Sequence, residues 1–399
     1  MSGLKPVSVT GLGCICSAGA NLGDCLSALE SGQRAPKPPT RFHCDFSMAY
    51  PVFEAGEEAL DSYRPESDRS FTVHMACRAA REAMAQAGLR ETDLTRARIG
   101  VCIGTSVGAS LNLLDFYRTR REGKTPDMLP VHRYLNSNPA VAVAQEFGAS
   151  GPVQCVVNAC SSGTDALGMA ASWIRRDLCD IVIAGGADEL SEVTYTGFIR
   201  LMISDTQPCR PFDRFRGGLN LGEGAGIVIM ESPTFRERRG AREVAAILGY
   251  GTCADAHHLT APHPEGMGLR LAMADALREA GLSAADISFI NAHGTGTPNN
   301  DIVEAAVFND LFPATPFIST KGMTGHTLGA AGAIEAIFTI GHLAAGSIPA
   351  SAGFSSPDPA MDVRPTIVRT AVRTRAAISQ SLAFGGNNSV LVLGCGRVS

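Results

Sequence analysis

The chain has 399 residues, 45% of them apolar and 18% charged, with 43 glycines and 12 cysteines. This length and apolar share fit a globular protein with a large core, built as two or three domains or one large α/β unit. A net charge of −5 argues against nucleic acid as a main partner.

Residues Met1 to Ala20 carry one lysine and read as a strand entering a turn. They are too weakly basic and too interrupted for a secretory signal. Val7 to Leu12 is an apolar run ending at glycine. Phe71 to Gly88 places Val73, Ala76, Cys77, Ala80, Met84 and Ala87 at helical spacing and stops at Gly88. Ile99 to Ile103 is a buried-type strand, and Gln154 to Val157 is another that leads straight into Cys160. Ala166 to Ile174 is helical, Ile181 to Ala184 a strand, and Gly226 to Met230 closes the first half. The charged stretch Phe235 to Glu243 marks the seam, dividing the chain into residues 1–243 and 244–399.

The second half repeats the order. Val244 to Gly249 opens it, and Leu269 to Ala280 is an amphipathic helix ending at Gly281. Ile287 to Asn291 leads to His293. Phe317 to Ser319 leads to a turn and then a helix from about Thr327 to Ala344, and Val390 to Leu393 is a last strand. The order of elements suggests an internal duplication. Short crossovers between apolar strands favour an α/β fold with sheets covered by helices on both faces. The most apolar stretch, Ala330 to Ala350, contains Glu335 and His342 and reads as a buried helix rather than a membrane span.

With no export signal, the twelve cysteines read as reduced, mostly buried thiols of a cytoplasmic protein. Cys14 and Cys16 alternate along a strand end and offer no metal cage. His257, His258 and His263 lack a carboxylate or thiol to complete a metal set and read as a pocket-rim loop. Gly11-Leu12-Gly13 lacks the third glycine of a dinucleotide fingerprint. Gly222-Glu223-Gly224-Ala225-Gly226 is followed by no Gly-Lys-Ser/Thr. Both read as turns.

Three glycine-rich contexts carry the chemistry. Cys160 sits in Asn158-Ala159-Cys160-Ser161-Ser162-Gly163, between a strand and a helix, where unpaired backbone N–H groups favour a thiolate. His293 heads Gly294-Thr295-Gly296-Thr297-Pro298. Asp301 and Glu304 are three residues apart on one face of the following helix, so Asp301 can cap or orient the loop. His326 follows Lys321-Gly322-Met323-Thr324-Gly325, with Glu335 downstream. A buried lysine and glutamate beside that imidazole would set its protonation. A thiol with two imidazoles is a nucleophile with two donors for a developing oxyanion, which suits carbon–carbon bond formation on a thioester.

Together these motifs resemble the elongating, Cys-His-His β-ketoacyl-acyl-carrier-protein synthases of the thiolase superfamily. The resemblance runs from Val7-Ser8-Val9-Thr10-Gly11-Leu12-Gly13 to Ala383-Phe384-Gly385-Gly386-Asn387-Asn388. It includes Cys209-Arg210-Pro211-Phe212-Asp213 and Ala261-Pro262-His263-Pro264-Glu265-Gly266. It implies a thiolase fold, two βαβαβαββ halves in a five-layer αβαβα core. It also implies a homodimer, or a heterodimer with a chain-length-factor-like subunit, that takes its substrates from an acyl carrier protein. No cofactor is expected beyond the carrier's phosphopantetheine, and no metal.

By resemblance, Cys160 takes the acyl group, and His293 and His326 stabilise the enolate formed on decarboxylation of a malonyl thioester. Lys321 and Glu335 tune His326. The backbone N–H groups of Cys160 and Phe384 form the oxyanion hole. Thr295 and Thr297 contact the phosphopantetheine arm, Phe384 gates the acyl pocket, and Val107 lies along it. Arg69, Lys124 and Arg200 are candidates for a basic rim facing an acidic carrier. Asn158, Gly322, Ala383 and Asn387 depart from the usual pattern and point to polyketide or polyene assembly rather than housekeeping fatty-acid elongation. A non-condensing acyltransferase is one alternative. A chain-length-factor-like partner subunit is another, although such subunits lack the nucleophile that Cys160 supplies.

Overall fold

Strands covered on both faces read as near-continuous apolar runs, and the first of them, β1 (Val7–Cys16), is buried at every position. The computed structural model describes residues 3–42, 44, 46–64, 67–107, 113–373 and 376–395. After β1 come β2 (Ile99–Gly104), β3 (Val153–Val156), β4 (Ile181–Asp188), β5 (Gly224–Glu231), β6 (Ala245–Ala254), β7 (Ile287–Asn291) and β8 (Phe317–Ile318). A two-stranded ribbon of β9 (Ser347–Ile348) and β10 (Thr370–Ala371) precedes β11 (Ala376–Ala383) and β12 (Asn387–Cys395).

The large sheet runs β3-β2-β4-β5-β1-β6-β12-β11-β7-β8 and repeats itself about the β1–β6 ladder. In the first half β2 is parallel to β3 and β4, while β5 is antiparallel to β4 and β1. In the second half β7 is parallel to β8 and β11, while β12 is antiparallel to β11 and β6. The join is short, Val7–Val9 against Ala245–Ile247.

Helices complete the layers. Helix Phe71–Ala87 covers β1 and β5, and helix Met267–Ala280 covers β6 and β12 in the same way. Helices Ser162–Arg175 and Ala331–Ala345 pack against each other and against strands of both halves, forming the middle layer of the expected αβαβα arrangement. They approach closely because they carry small residues: a Cβ on Gly163 would lie 2.8 Å from the Ala333 backbone nitrogen. The segment Leu328–Ala345 is apolar and long enough to cross a membrane, but 83% of it is buried inside the fold.

Two glycine clusters read as turns are instead in strands. Gly11 and Gly13 lie mid-way along β1, where an added Cβ would sit 2.0 Å from the carbonyl oxygen of Ala83 or Ala79. Glycine there lets helix Phe71–Ala87 press its backbone onto the sheet. Gly224 and Gly226 open β5, and a Cβ at Gly226 would lie 2.8 Å from the Ile334 backbone nitrogen of the middle layer. Strand β11 escaped the sequence reading because its centre, Ser379-Gln380-Ser381, is polar though buried. The seam segment is partly helical, over Pro233–Arg239.

Candidate active site

Strand β3 delivers the chain to Cys160, one residue before the Ser161 cap of helix Ser162–Arg175. Ala159 is held at φ +48°, an uncommon conformation for a residue with a Cβ and of the kind stored at functional sites. The elbow is pinned by side chains. Ser161 Oγ reaches two acceptors with its one hydrogen, the Asn158 carbonyl at 2.9 Å and Asp165 at 2.8 Å, and Asn158 Nδ2 donates to Asp165 at 2.6 Å. Asp165 also accepts from Tyr250 on β6 at 2.8 Å and from Ser389 on β12. One carboxylate thus ties the turn of Cys160 to the opposite half.

His293 follows β7. The expected pair on the next helix, Pro298–Leu311, grips its loop. Glu304 accepts from the backbone N–H of His293 at 2.8 Å and of Gly294 at 2.7 Å. It also accepts from Asn300 at 2.6 Å and Gln380 at 2.5 Å. Asp301 accepts from Gly296 N–H at 3.2 Å and Phe212 N–H at 2.7 Å. Burial raises the pKa of Glu304 to about 7 and of Asp301 to about 6. Thr295 and Thr297 bond each other through their hydroxyls at 2.8 Å.

His326 leaves Gly325, which sits at φ +64°, with a would-be Cβ 2.9 Å from the Leu221 carbonyl oxygen. Only glycine makes that turn without collision. The two imidazole centroids are 5.2 Å apart and nearly perpendicular. The contact expected between Lys321 and His326 falls on the other ring: Lys321 Nζ is 3.2 Å from His293 Nδ1 and pairs with Glu335. The turn from Lys321 to His326 carries the ammonium past its sequence neighbour and across to β7. His326 feels Lys321 as a charge only, and its own Nδ1 is buried without a hydrogen-bond partner. Burial and the Lys321 charge together hold both imidazoles well below the usual histidine range. Burial lifts Glu335 to about 7 against the pull of Lys321.

Cys160, His293 and His326 line one cavity of about 280 Å³, together with Thr295, Thr297 and Phe384. Sequence reading missed Phe198, Met202, Ile203, Leu219, Asp255 and Asn388 in the same wall. Apart from Asn388, which ends the Ala383–Asn388 motif, these are ordinary apolar or polar types with no local motif. Burial pushes the Cys160 thiol up to about 12, and the Lys321 charge and the Phe384 N–H only partly offset it. The thiolate expected at the helix start is therefore overruled by desolvation, and the resting group is a thiol.

Phe384 heads the three-residue turn between β11 and β12 and stacks on Phe198, with centroids 5.5 Å apart at 15°. Asn387 Nδ2 donates to the Phe384 carbonyl at 3.3 Å. Asp255 and Asn388, 3.0 Å apart, brace the turn from beneath, with Asp255 N–H donating to the Gly386 carbonyl at 2.7 Å. Val107 is outside this wall. Like Phe198, it packs against a cluster that includes Leu190, Tyr195 and Ile199.

The loop of His257, His258 and His263 runs at the rim, where Thr260, Ala261 and Pro262 line the cavity. Of the basic candidates, Arg200 ends the helix Glu192–Arg200 just before Met202 and Ile203 of the wall, its guanidinium over the Phe46 ring. Lys124 pairs with Glu122, and Arg69 bonds Gln145 beside a separate hollow. Cys14 and Cys16 are not an isolated pair: helix Leu22–Ser31 brings Cys25 onto them.

Comparison with known proteins places this geometry. The β-ketoacyl synthase N-terminal domain matches residues 4–234 and the C-terminal domain residues 244–355. A 3-oxoacyl-[acyl-carrier-protein] synthase 2 of Synechocystis is 35% identical, over 97% of both chains. Among solved structures, the ishigamide ketosynthase/chain length factor superposes with a TM-score of 0.91 at 32% identity, covering 98% of this chain and 100% of that one. A type II polyketide synthase acyl-carrier protein in complex with its ketosynthase bound to the hexaketide gives 0.89 at 26%, covering 99% and 100%. The chain belongs to the β-ketoacyl synthase family and is an enzyme of the acyltransferase class.

Proposed function

We propose that this chain performs decarboxylative Claisen condensation, joining a malonyl unit on an acyl carrier protein to an acyl group held on Cys160 and releasing 3-oxoacyl carrier. The observation that carries the reading is the single cavity shared by Cys160, His293 and His326. The Cys160 sulfur attacks the incoming thioester, expels the carrier thiol and passes its proton on, giving acyl-Cys160. Lys321 acts as donor to His293 Nδ1, which fixes the tautomer with hydrogen on Nε2. With both rings neutral, His293 and His326 donate to the malonyl thioester oxygen as carbon dioxide leaves and the enolate forms. The enolate carbon attacks the acyl carbonyl. The Cys160 and Phe384 backbone N–H groups hold the resulting oxyanion, and Cys160 sulfur departs with the bonding pair and is reprotonated. Thr295 and Thr297 steady the phosphopantetheine arm.

The two domains are residues 1–243 and 244–399, and the enzyme works in the cytoplasm with phosphopantetheine-borne substrates and no other cofactor. Its partners are the carrier protein and a second synthase-like chain, identical or of the chain-length-factor kind. The kinship with ketosynthase/chain length factor and polyketide structures, and the altered gate residues Ala383 and Asn387, favour polyketide or polyene assembly. The test is intact mass of the enzyme incubated with acyl carrier, followed by carbon dioxide release from malonyl carrier. Acylation lost in Cys160→Ala, and release lost when both histidines are replaced, is the expected result. Acylation without malonyl-dependent release would establish the non-condensing acyltransferase instead. No acylation at all would leave the partner-subunit role.

A further inference from the structure

Cys14 and Cys16 are two residues apart on β1 and so share one face of the strand, while Cys25 arrives from helix Leu22–Ser31. The three Sγ atoms lie within 4.8 Å of one another, with Cys16 and Cys25 at 3.7 Å. All three side chains are fully buried, and none belongs to the wall of the Cys160 cavity. Nothing in the condensation uses them.

Metal–sulfur bonds of about 2.3 Å in a planar trigonal arrangement put the sulfurs about 4 Å apart. That spacing is what these thiols approach before any ion is present. Glu82, a neighbouring carboxylate, is not a spare ligand. Its two oxygens accept from the backbone N–H groups of Cys14 at 2.9 Å and Leu22 at 2.8 Å. Three soft donors without a fourth suit a d10 cation that accepts three-coordination, not a tetrahedral zinc site or an oxygen-seeking ion.

We propose that Cys14, Cys16 and Cys25 form a second site in this enzyme, a trigonal thiolate site for a soft monovalent cation of the Cu(I) type. The ion enters as Cu(I) and no electron is transferred; the thiol protons it displaces leave to solvent. The site staples the end of β1 to helix Leu22–Ser31. The adjoining Ser17 hydroxyl donates to the Met323 carbonyl at 3.4 Å, so the staple sits one residue from the turn that carries Lys321 and His326.

The experiment titrates the reduced full-length protein with Cu(I) buffered by bicinchoninate, with oxygen excluded. One equivalent should be drawn from the chelator, X-ray absorption should report a shell of three sulfurs, and Tm should rise with loading. Cys160→Ala should keep that equivalent and Cys16→Ala should lose it. Failure to compete with the chelator overturns the proposal. So does loss of the equivalent in Cys160→Ala, its retention in Cys16→Ala, or a shell of two sulfurs. The absorption measurement uses the unaltered protein, so the answer does not depend on a variant that folds.

Discussion

Lys321 and His293, 28 residues apart in sequence, meet at 3.2 Å between Nζ and Nδ1. Lysine brings donors and no acceptor when charged, so the contact leaves the His293 Nε2–H free to point at substrate. Removing the lysine frees the ring to take the other tautomer and leaves Glu335 as a buried carboxyl without its partner. Lys321→Ala is expected to slow carbon dioxide release from malonyl carrier by about 10²-fold or more, the range for a displaced proton donor. It should also cost about 3–5 kcal/mol, as breaking a buried ion pair does. Lys321→Ala/Glu335→Ala should recover part of the stability and none of the rate. Thermal unfolding beside a decarboxylation assay separates the two.

Cys160 rests as a thiol with its pKa pushed up to about 12 by burial. Its alkylation by iodoacetamide in the free enzyme should climb about tenfold per pH unit from 7 to 10 without levelling off. A plateau near pH 8 would contradict that burial. Lys321→Ala removes a charge that favours the thiolate, so alkylation of that variant should be slower at every pH in the range.

Glu304 holds the His293 loop by four hydrogen bonds, yet burial raises its carboxyl to about 7 from an ordinary 4.5. The folded state therefore binds this proton more tightly than the unfolded one. Its contribution is fully present below pH 4.5 and is lost as pH rises through 7. Glu304→Gln has no proton to lose. Its stability relative to the parent should rise by about 3 kcal/mol between pH 4.5 and 8, on top of a constant penalty for facing an amide NH2 toward a backbone N–H. Denaturant melts at four pH values across that window give the slope. A flat difference would show that the carboxyl is ionised throughout.

In the turn between β11 and β12, the Asn387 amide holds the Phe384 carbonyl and Ala383 limits the backbone just before it. Ala383→Gly and Asn387→Thr loosen that hold. Turnover of long saturated acyl carriers should rise relative to polyunsaturated ones. Equal turnover of both primers by the unaltered enzyme would remove the case for polyketide or polyene assembly.

Asp165 gathers Asn158, Ser161, Tyr250 and Ser389 around the turn of Cys160. Asp165→Ala strands several buried donors and should lower Tm and slow acylation of Cys160 by about tenfold or more. Tyr250→Phe removes a single bond and should cost about 1 kcal/mol with acylation within about threefold of the parent. Stopped acylation followed by intact mass reads both.

Much of this protein is legible along the chain because its strands are buried on both faces. Apolar runs such as Ile99 to Ile103 and Ile287 to Asn291 can hardly be anything else, and Gly88 and Gly281 end helices by the same left-handed turn wherever they occur. The three residues that share the cavity, Cys160, His293 and His326, stand out along the chain too, because glycine-rich turns at strand ends are written locally. Strand β11 was not, since a polar run such as Ser379-Gln380-Ser381 becomes interior only when neighbouring strands satisfy it. Nor was the partner of Lys321, the wall from Phe198 to Leu219, or the arrival of Cys25 beside Cys14 and Cys16. The sequence by itself determined most of the apolar strands and amphipathic helices and which residue types can do chemistry, because those depend on periodicity and residue type. Only the tertiary structure decided which imidazole the lysine holds, and that burial keeps Cys160 protonated. Distances and desolvation arise between segments far apart in the chain, and no local pattern records them.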